Sequence, residues 1–370
     1  MKKDITNIKD IKESRQEINK IDREMAKLFE KRMLISKDIA EYKQAHGLPV
    51  KDAKREDYVL KENIAWLNHS DFQGYYADFL RQTMRISRNY QTLLFEGMRV
   101  AYCGTEGAFA YIAADHLFPV AKKVSYPNFR LAYEAVENGE CEAVILPLEN
   151  SSTGEVGQVA DLLFSGNLFI NATYSLEIGH DLLAVPGAKL ADIKTVMSHP
   201  QALSQCAEFI DKYNLKTLNS ENTAFAAKYV AEQNDPSLAA IASDDSANLF
   251  GLEIIASGIN TRKTNTTRFA VVSASQNIAT QKDAELNFSL MFTVANEAGS
   301  LGRALNIIGA HGFNLRTLRS RPQKDLLWQY YFYAESEGNV YSNEGQEMLE
   351  ALQLTCRNIK VVGSFVEYRK

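Results

Sequence analysis

Apolar residues near the start of the chain recur at three- and four-residue spacing. Ile11, Ile18, Ile21, Met25, Leu28, Ile35 and Ile39 fall on one side of a helix, the pattern of a long amphipathic element. Pro49 is the sole proline between positions 8 and 96, and His46-Gly47-Leu48-Pro49 predicts where the first helix stops. Asp52 is placed to cap a second helix reaching about Leu67. Tyr76, Phe79, Leu80, Met84 and Leu94 mark one side of a third.

At Met98 the pattern changes. Short β-rich runs at 99–102, 143–146, 182–185, 195–197, 239–242 and 268–272 alternate with helical stretches, and Gly, Asn, Ser and Pro clusters separate them. That is an α/β pattern. Residues 274–285 (ASQNIATQKDAE) are polar and read as a linker. Beyond them, strand 288–294, helix 301–311, strands 313–319 and 326–335, helix 344–354 and strand 360–366 give the order βαββαβ, a ferredoxin-like arrangement. The predicted architecture is multidomain: an all-α module over 5–96, an α/β module over 98–274 and an α+β module over 286–367.

Composition adds limits. The 370 residues are 45% hydrophobic and 24% charged, enough apolar material for several cores. A net charge of -5 argues against a nucleic-acid surface. Cys103, Cys141, Cys206 and Cys356 are widely spaced, which fits neither a disulfide framework nor a zinc site and favours a reducing compartment. The charged N-terminal stretch lacks a signal-peptide core, and no run reaches the roughly 18 apolar residues of a membrane span. The expectation is a cytoplasmic protein with no membrane or nucleic-acid partner.

Polar residues interrupt the apolar faces. The seam 11-18-25-32-39 is broken by Arg32, and an unpaired buried charge is costly. Lys43 lies nearly three turns on, about 16 Å along the axis and on nearly the same face. Ser87 and Gln91 interrupt the third helix, and Arg55 and Glu56 open the second. A dimerising coiled coil whose Arg32 pairs with a glutamate is one reading; a buried polar ligand is the other, favoured by the interruptions on the facing helix.

These positions, with Arg15 and Asp52-Ala53-Lys54-Arg55-Glu56, resemble the helical chorismate mutases, specifically the mutase part of bifunctional chorismate mutase–prephenate dehydratases, across some 80 residues. The resemblance implies that Arg15, Arg32 and Arg55 hold two carboxylates and that Lys43 and Gln91 donate to the ether oxygen. It gives Asp52, Glu56 and Ser87 to the hydroxyl or to positioning. A Claisen rearrangement needs a folded substrate and stabilised charge, with no acid, base or nucleophile. Arg15 and Arg32 are about 25 Å apart on one helix, too far for one small ligand. The expectation is therefore an obligate homodimer or higher oligomer whose sites draw on two chains.

Four segments of the α/β module stand at strand ends: Gly104-Thr105-Glu106-Gly107, whose free amides can hold an anion; Pro147-Leu148-Glu149-Asn150-Ser151-Ser152-Thr153-Gly154; Ser198-His199-Pro200-Gln201 with Gln205; and Asn265-Thr266-Thr267-Arg268-Phe269, which leads into a strand. Singly, each is ordinary turn chemistry. As a set they resemble the prephenate dehydratases across about 175 residues, whose two lobes are similar to periplasmic binding proteins. The resemblance makes Thr267 the catalytic hydroxyl, with Gly104, Glu149, Asn150, Ser198, Gln205 and Arg268 at the substrate or supporting it, and no cofactor. Thr267 reads as a hydrogen-bond donor to the leaving hydroxyl, with Glu149 as an alternative acid and His199 as structural. Gly107-Ala108-Phe109-Ala110 lacks the hydroxyl residues usual there, which keeps arogenate open beside prephenate.

The last module resembles the ACT domains that bind phenylalanine. The family motifs Gly-Ala-Leu-Val and Glu-Ser-Arg-Pro read here Gly299-Ser300-Leu301-Gly302 and Arg319-Ser320-Arg321-Pro322. The resemblance implies phenylalanine as effector, with Arg319 reversing a charge near the expected amino-acid site. A competing whole-chain reading is a ligand sensor, a binding lobe with an ACT domain and a dimerising coiled coil; in a third, only one activity survives.

Overall fold

The computed structural model describes residues 11–261, 265–276, 285–322 and 330–369. The chain divides into two compact units, Met1–Met98 and Arg99–Lys370. Most of the predicted linker, the start of the strand expected at 326–335 and the first positions of the helical module lie outside the described residues.

The first unit consists of α1 (Ile11–Ala45), α2 (Ala53–Ala65) and α3 (Gln73–Glu96). Asp52 caps α2 by accepting the Arg55 amide at 3.0 Å. Only Ser36 and Ala40 of α1 are buried. Its apolar seam stays open: Ile11, Ile18, Ile21, Leu28 and Ile35 are each at least half exposed.

The second unit begins with β1 (Arg99–Cys103), α4 (Phe109–Leu117), β2 (Lys122–Tyr126), α5 (Phe129–Glu137), β3 (Ala143–Asn150), β4 (Gly154–Glu155), α6 (Gly157–Ser165) and β5 (Phe169–Glu177). The chain then crosses into β6 (Asp181–Ala184), β7 (Thr195–Ser198), α7 (Pro200–Gln205), α8 (Ala207–Lys212), β8 (Lys216–Asn219), α9 (Thr223–Gln233), β9 (Leu238–Ala242), α10 (Asp244–Phe250) and β10 (Glu253–Ala256). It returns as β11 (Thr266–Ser273) and closes with β12 (Leu286–Thr293), α11 (Ser300–Ala310), β13 (Leu315–Pro322), β14 (Tyr330–Glu337), α12 (Asn343–Thr355) and β15 (Asn358–Arg369).

Two sheets result. The smaller has the order β10-β6-β9-β7-β8 around an all-apolar core. The larger runs β13-β14-β12-β15-β5-β11-β3-β1-β2, with β4 hairpinned on β3. Within it, β13-β14-β12-β15 is the ferredoxin-like order, its α11 and α12 face packed on Phe288, Leu290 and Phe292. The junction was not predicted: β15 pairs in parallel with β5, so the third module continues the sheet of the second. The opposite face of that module, with Met291, Tyr331, Tyr333 and Phe365, shares a core with Val144, Leu163 and Ile170.

Two strands begin or end elsewhere than the sequence suggests. β3 continues through Pro147 to Asn150, and β11 starts at Thr266, so Asn150 and Thr267 lie within strands. Pairing of β11 with β3 and β5 together extends each ladder past its apolar run. Among the described residues no helix is long and apolar enough to cross a membrane, and the four cysteines are free.

Candidate active sites

The polar interruptions in the first unit find one another. Arg32 Nη1 donates to the Ser87 hydroxyl and to the Thr83 carbonyl at 3.3 Å. Gln91 Nε2 donates to Ser36 Oγ at 2.9 Å, and Arg88 Nη1 to Glu56 Oε1 at 2.5 Å. Ser36, Ser87 and Gln91 are buried. Burial lowers the Arg32 pKa from its ordinary value, yet a guanidinium stays charged in any such setting. Gln91 Oε1 is buried without a partner. A flipped amide would leave an unpaired N–H there instead, so in either orientation one polar end of Gln91 awaits a ligand group.

Arg32, Glu56, Ser87 and Gln91 are thus gathered on one stripe, and the other expected residues stand apart. Lys43 Nζ donates to the Val50 carbonyl at 2.6 Å, closing the turn after α1. The Asp52 carboxylate is spent on the α2 cap, and Arg55 lies over the Tyr58 ring at 5.1 Å. Arg15 is exposed near the far end of α1. Arg88, three residues before Gln91 on α3, holds Glu56 and was not singled out from the sequence.

In the second unit the chain passes twice between the lobes, and the two crossings are laced together. Ile178 donates to Asn265 O at 2.7 Å, Ile259 to His180 O at 2.9 Å and Gly258 to Asp181 Oδ1 at 2.7 Å. Thr267 and Asn150 meet at this hinge as a register pair of β11 and β3. Asn150 Oδ1 accepts the amides of Ser152 and Thr153 at 2.9 and 3.2 Å. Its amide nitrogen therefore faces Thr267 Oγ1 at 2.9 Å and Asn265 Oδ1 at 2.8 Å. With an acceptor lone pair filled, the Thr267 hydrogen is free to be given away. Asn265 reaches Gln205 Oε1 at 3.4 Å, and Gln205 Oε1 meets His180 Nε2 at 2.9 Å.

His180 was not singled out from sequence. It is 2% exposed, its Nδ1 has no partner and Phe109 sits 6.0 Å from its ring. Burial lowers its pKa below the ordinary value, and the Gln205 hydrogen bond partly offsets this.

Several expected contacts have other uses. Ser198 is fully buried and donates to Ile241 O at 2.6 Å, joining β7 to β9, so it supports the lobe without facing a ligand. Gly104 N–H is taken by Tyr126 O at 3.1 Å, which removes it as an anion donor. Gly107 (φ 83°) packs against Ala224 and Leu249 of the other lobe, where a Cβ would be crowded. His199 caps α7 through Nδ1. Glu149 lies on β3, not in a solvated turn. Burial would raise its pKa, but Arg319 and Arg268 outweigh that and lower it, favouring the carboxylate. Arg268 turns from Thr267 to Glu335 at 2.6 Å and Glu149 at 3.2 Å.

The effector motifs also depart from expectation. Gly299 (φ 78°) precedes α11, where Ser300 is buried and accepts from Arg303, with Leu301 beside it. On β13, Ser320 and Pro322 face outward. Arg319 and Arg321 face inward and pair with Glu149, Glu155 and Asp161. The reversed charge of Arg319 is thus neutralised by the dehydratase module.

Comparison with known families fits this geometry. Residues 14–92 match the family model of type II chorismate mutases, and residues 100–277 that of prephenate dehydratases. The bifunctional chorismate mutase/prephenate dehydratase of Enterobacter agglomerans is 28% identical over 95% of this chain and 94% of its own. Arogenate dehydratase/prephenate dehydratase 1 of Arabidopsis thaliana is 32% identical over 72% of each. Among solved structures, a prephenate dehydratase from Arthrobacter aurescens in complex with L-Phe is 26% identical with TM-score 0.66 over 73% of this chain and 90% of that one. The quorum-quenching acylase GqqA is 28% identical with TM-score 0.67 over 73% and 98%. Joining a mutase module to a dehydratase module over nearly its whole length, the chain belongs to the bifunctional chorismate mutase/prephenate dehydratase family and carries the family's isomerase and lyase activities.

Proposed function

We propose that Arg32, Glu56, Ser87 and Gln91, with Lys43, Asp52 and Arg55, form the mutase site, and that Arg15 is supplied by a second chain. The open apolar seam of α1 supports a homodimer. In the site, Arg32 anchors a carboxylate of chorismate and the free end of Gln91 meets the breaking C–O bond, holding the substrate in its reactive conformer.

We assign the dehydratase site, within the module spanning 98–274, to Asn150, Thr267, Gln205 and the hinge around them. Prephenate loses its ring carboxylate as carbon dioxide; the released electron pair forms the ring double bond and expels the hydroxyl, which takes a proton from solvent and leaves as water. Thr267 donates a hydrogen bond to that departing oxygen. The observation that carries this assignment is the Asn150 amide donating into Thr267 Oγ1. The module spanning 286–367 is read as an ACT domain through which phenylalanine inhibits, with Gly299, Ser300, Leu301, Ser320 and Pro322 at the effector. Four free cysteines support a cytoplasmic setting.

The test supplies chorismate to the protein and follows phenylpyruvate. Arg32→Ala should lose the first step and keep the second with added prephenate; Thr267→Ala should accumulate prephenate. Each loss should be about ten- to a hundredfold. Parent-like rates in both variants would remove the assignments, and saturating phenylalanine that alters neither rate nor melting temperature would remove the effector.

A further inference from the structure

Side chains alternate along a strand. Asn150 and Thr267 face the hinge, so their neighbours Glu149 and Arg268 face the other side of the sheet, where β13 and β14 lie. There the two form one partly buried charge chain with the C-terminal module. Arg319 donates to Glu149 Oε2, Glu149 Oε1 accepts Arg268 Nη1 at 3.2 Å, and Arg268 Nη2 donates to Glu335 Oε1 at 2.6 Å. Glu335 is fully buried and also accepts from the Tyr333 hydroxyl at 3.1 Å. Arg321 extends the grip to Glu155 and Asp161, just past the turn that follows Asn150.

The ladder beneath this chain is irregular. β11 and β3 pair Thr267 with Asn150 and Arg268 with Glu149, and then the register shifts between Arg268 and Phe269. The Thr267 end of the β11–β3 ladder therefore lies on one side of a slip. The charge chain grips Arg268 and Glu149, the last pair before that slip, and ties both strands to β13 and β14.

We propose that Arg319 and Glu335 are positioning residues of the dehydratase: the C-terminal module, through them, sets the Asn150–Thr267 register. The two charges of each sign cancel, so the chain is stable only as a complete set. This inference rests on the assignment of Asn150 and Thr267 above. It also gives Arg319, which departs from the motif, a role in catalysis instead of effector binding.

The experiment measures kcat and KM for prephenate, and the chorismate mutase rate, in Arg319→Glu, Arg319→Lys, Glu335→Gln and Thr267→Ala. Small misplacements in a site are amplified in kcat. Arg319→Glu and Glu335→Gln should lower dehydratase kcat by about tenfold or more, with KM within about twofold and the mutase rate unchanged. Arg319→Lys should recover most of the loss. If Glu335→Gln does not fold, Arg319→Glu, on a partly exposed edge strand, carries the test. The proposal is overturned if folded Arg319→Glu keeps kcat within about twofold of the parent while Thr267→Ala is inactive. It is equally overturned if KM alone rises. A fully active Thr267→Ala would sink the site assignment itself, and this inference with it.

Discussion

Asn150 gives its oxygen to the Ser152 and Thr153 amides and its nitrogen to Thr267. One amide thus fixes the donor role of a neighbouring hydroxyl, a role its residue type leaves undetermined. The sequence carried both residues plainly, because each sits in a distinctive motif. His180 carried no such signal, since a lone histidine between strands has no spacing to betray it. Its buried ring makes a pH prediction. The folded pKa lies below the ordinary 6.5, so protonation is easier in the unfolded chain. Stability from the neutral ring is complete above about pH 6.5 and is lost as pH falls from there through the lowered folded value. Urea midpoints measured from about pH 7 to about pH 5 should fall more steeply in the parent than in His180→Gln. Equal slopes would show that His180 does not contribute.

Among the elements, apolar periodicity found the helices of the first and last modules and the strands β1, β3, β6, β7, β9 and β11, but it missed β5 in the middle of the larger sheet. β2, β8 and β10 lie at sheet margins with few buried positions, so their patterns were faint. The β5–β15 seam was invisible because nothing in either strand names its partner. Its one marker is Gly363, where an added Cβ would collide with the Ile170 carbonyl. Gly363→Ala should part the two strands and cost about 1–3 kcal/mol in denaturant unfolding. Gly309→Ala, in open space on α11, should be neutral or stabilising by up to about 1 kcal/mol. Comparable losses in both would mean the seam is not where the strain falls.

At the scale of the whole molecule, module order was legible from changes in texture at Met98 and near the polar segment before β12. The division actually found, after Met98 only, was not, because sheet continuity merges the last two modules into one unit. The proposed sharing of the mutase site between chains makes a quantitative prediction. Arg15→Ala and Arg32→Ala should each lower the mutase rate by about ten- to a hundredfold. When mixed and allowed to exchange, half the dimers combine both variants, and each of those holds one intact site, so about a quarter of the parent activity should return. No recovery after verified exchange would place both arginines in one chain's site, or one of them in none.

The β5–β15 seam also has a consequence for biosynthesis. Ser175 and Glu367, paired across it, are 192 positions apart. During translation β5 therefore emerges long before the strand that covers its edge. A nascent dehydratase module must wait with an open strand border, which is the surface that mispairs with other chains. Slow translation or premature release between α11 and β15 would then leave an aggregation-prone intermediate instead of a smaller working enzyme.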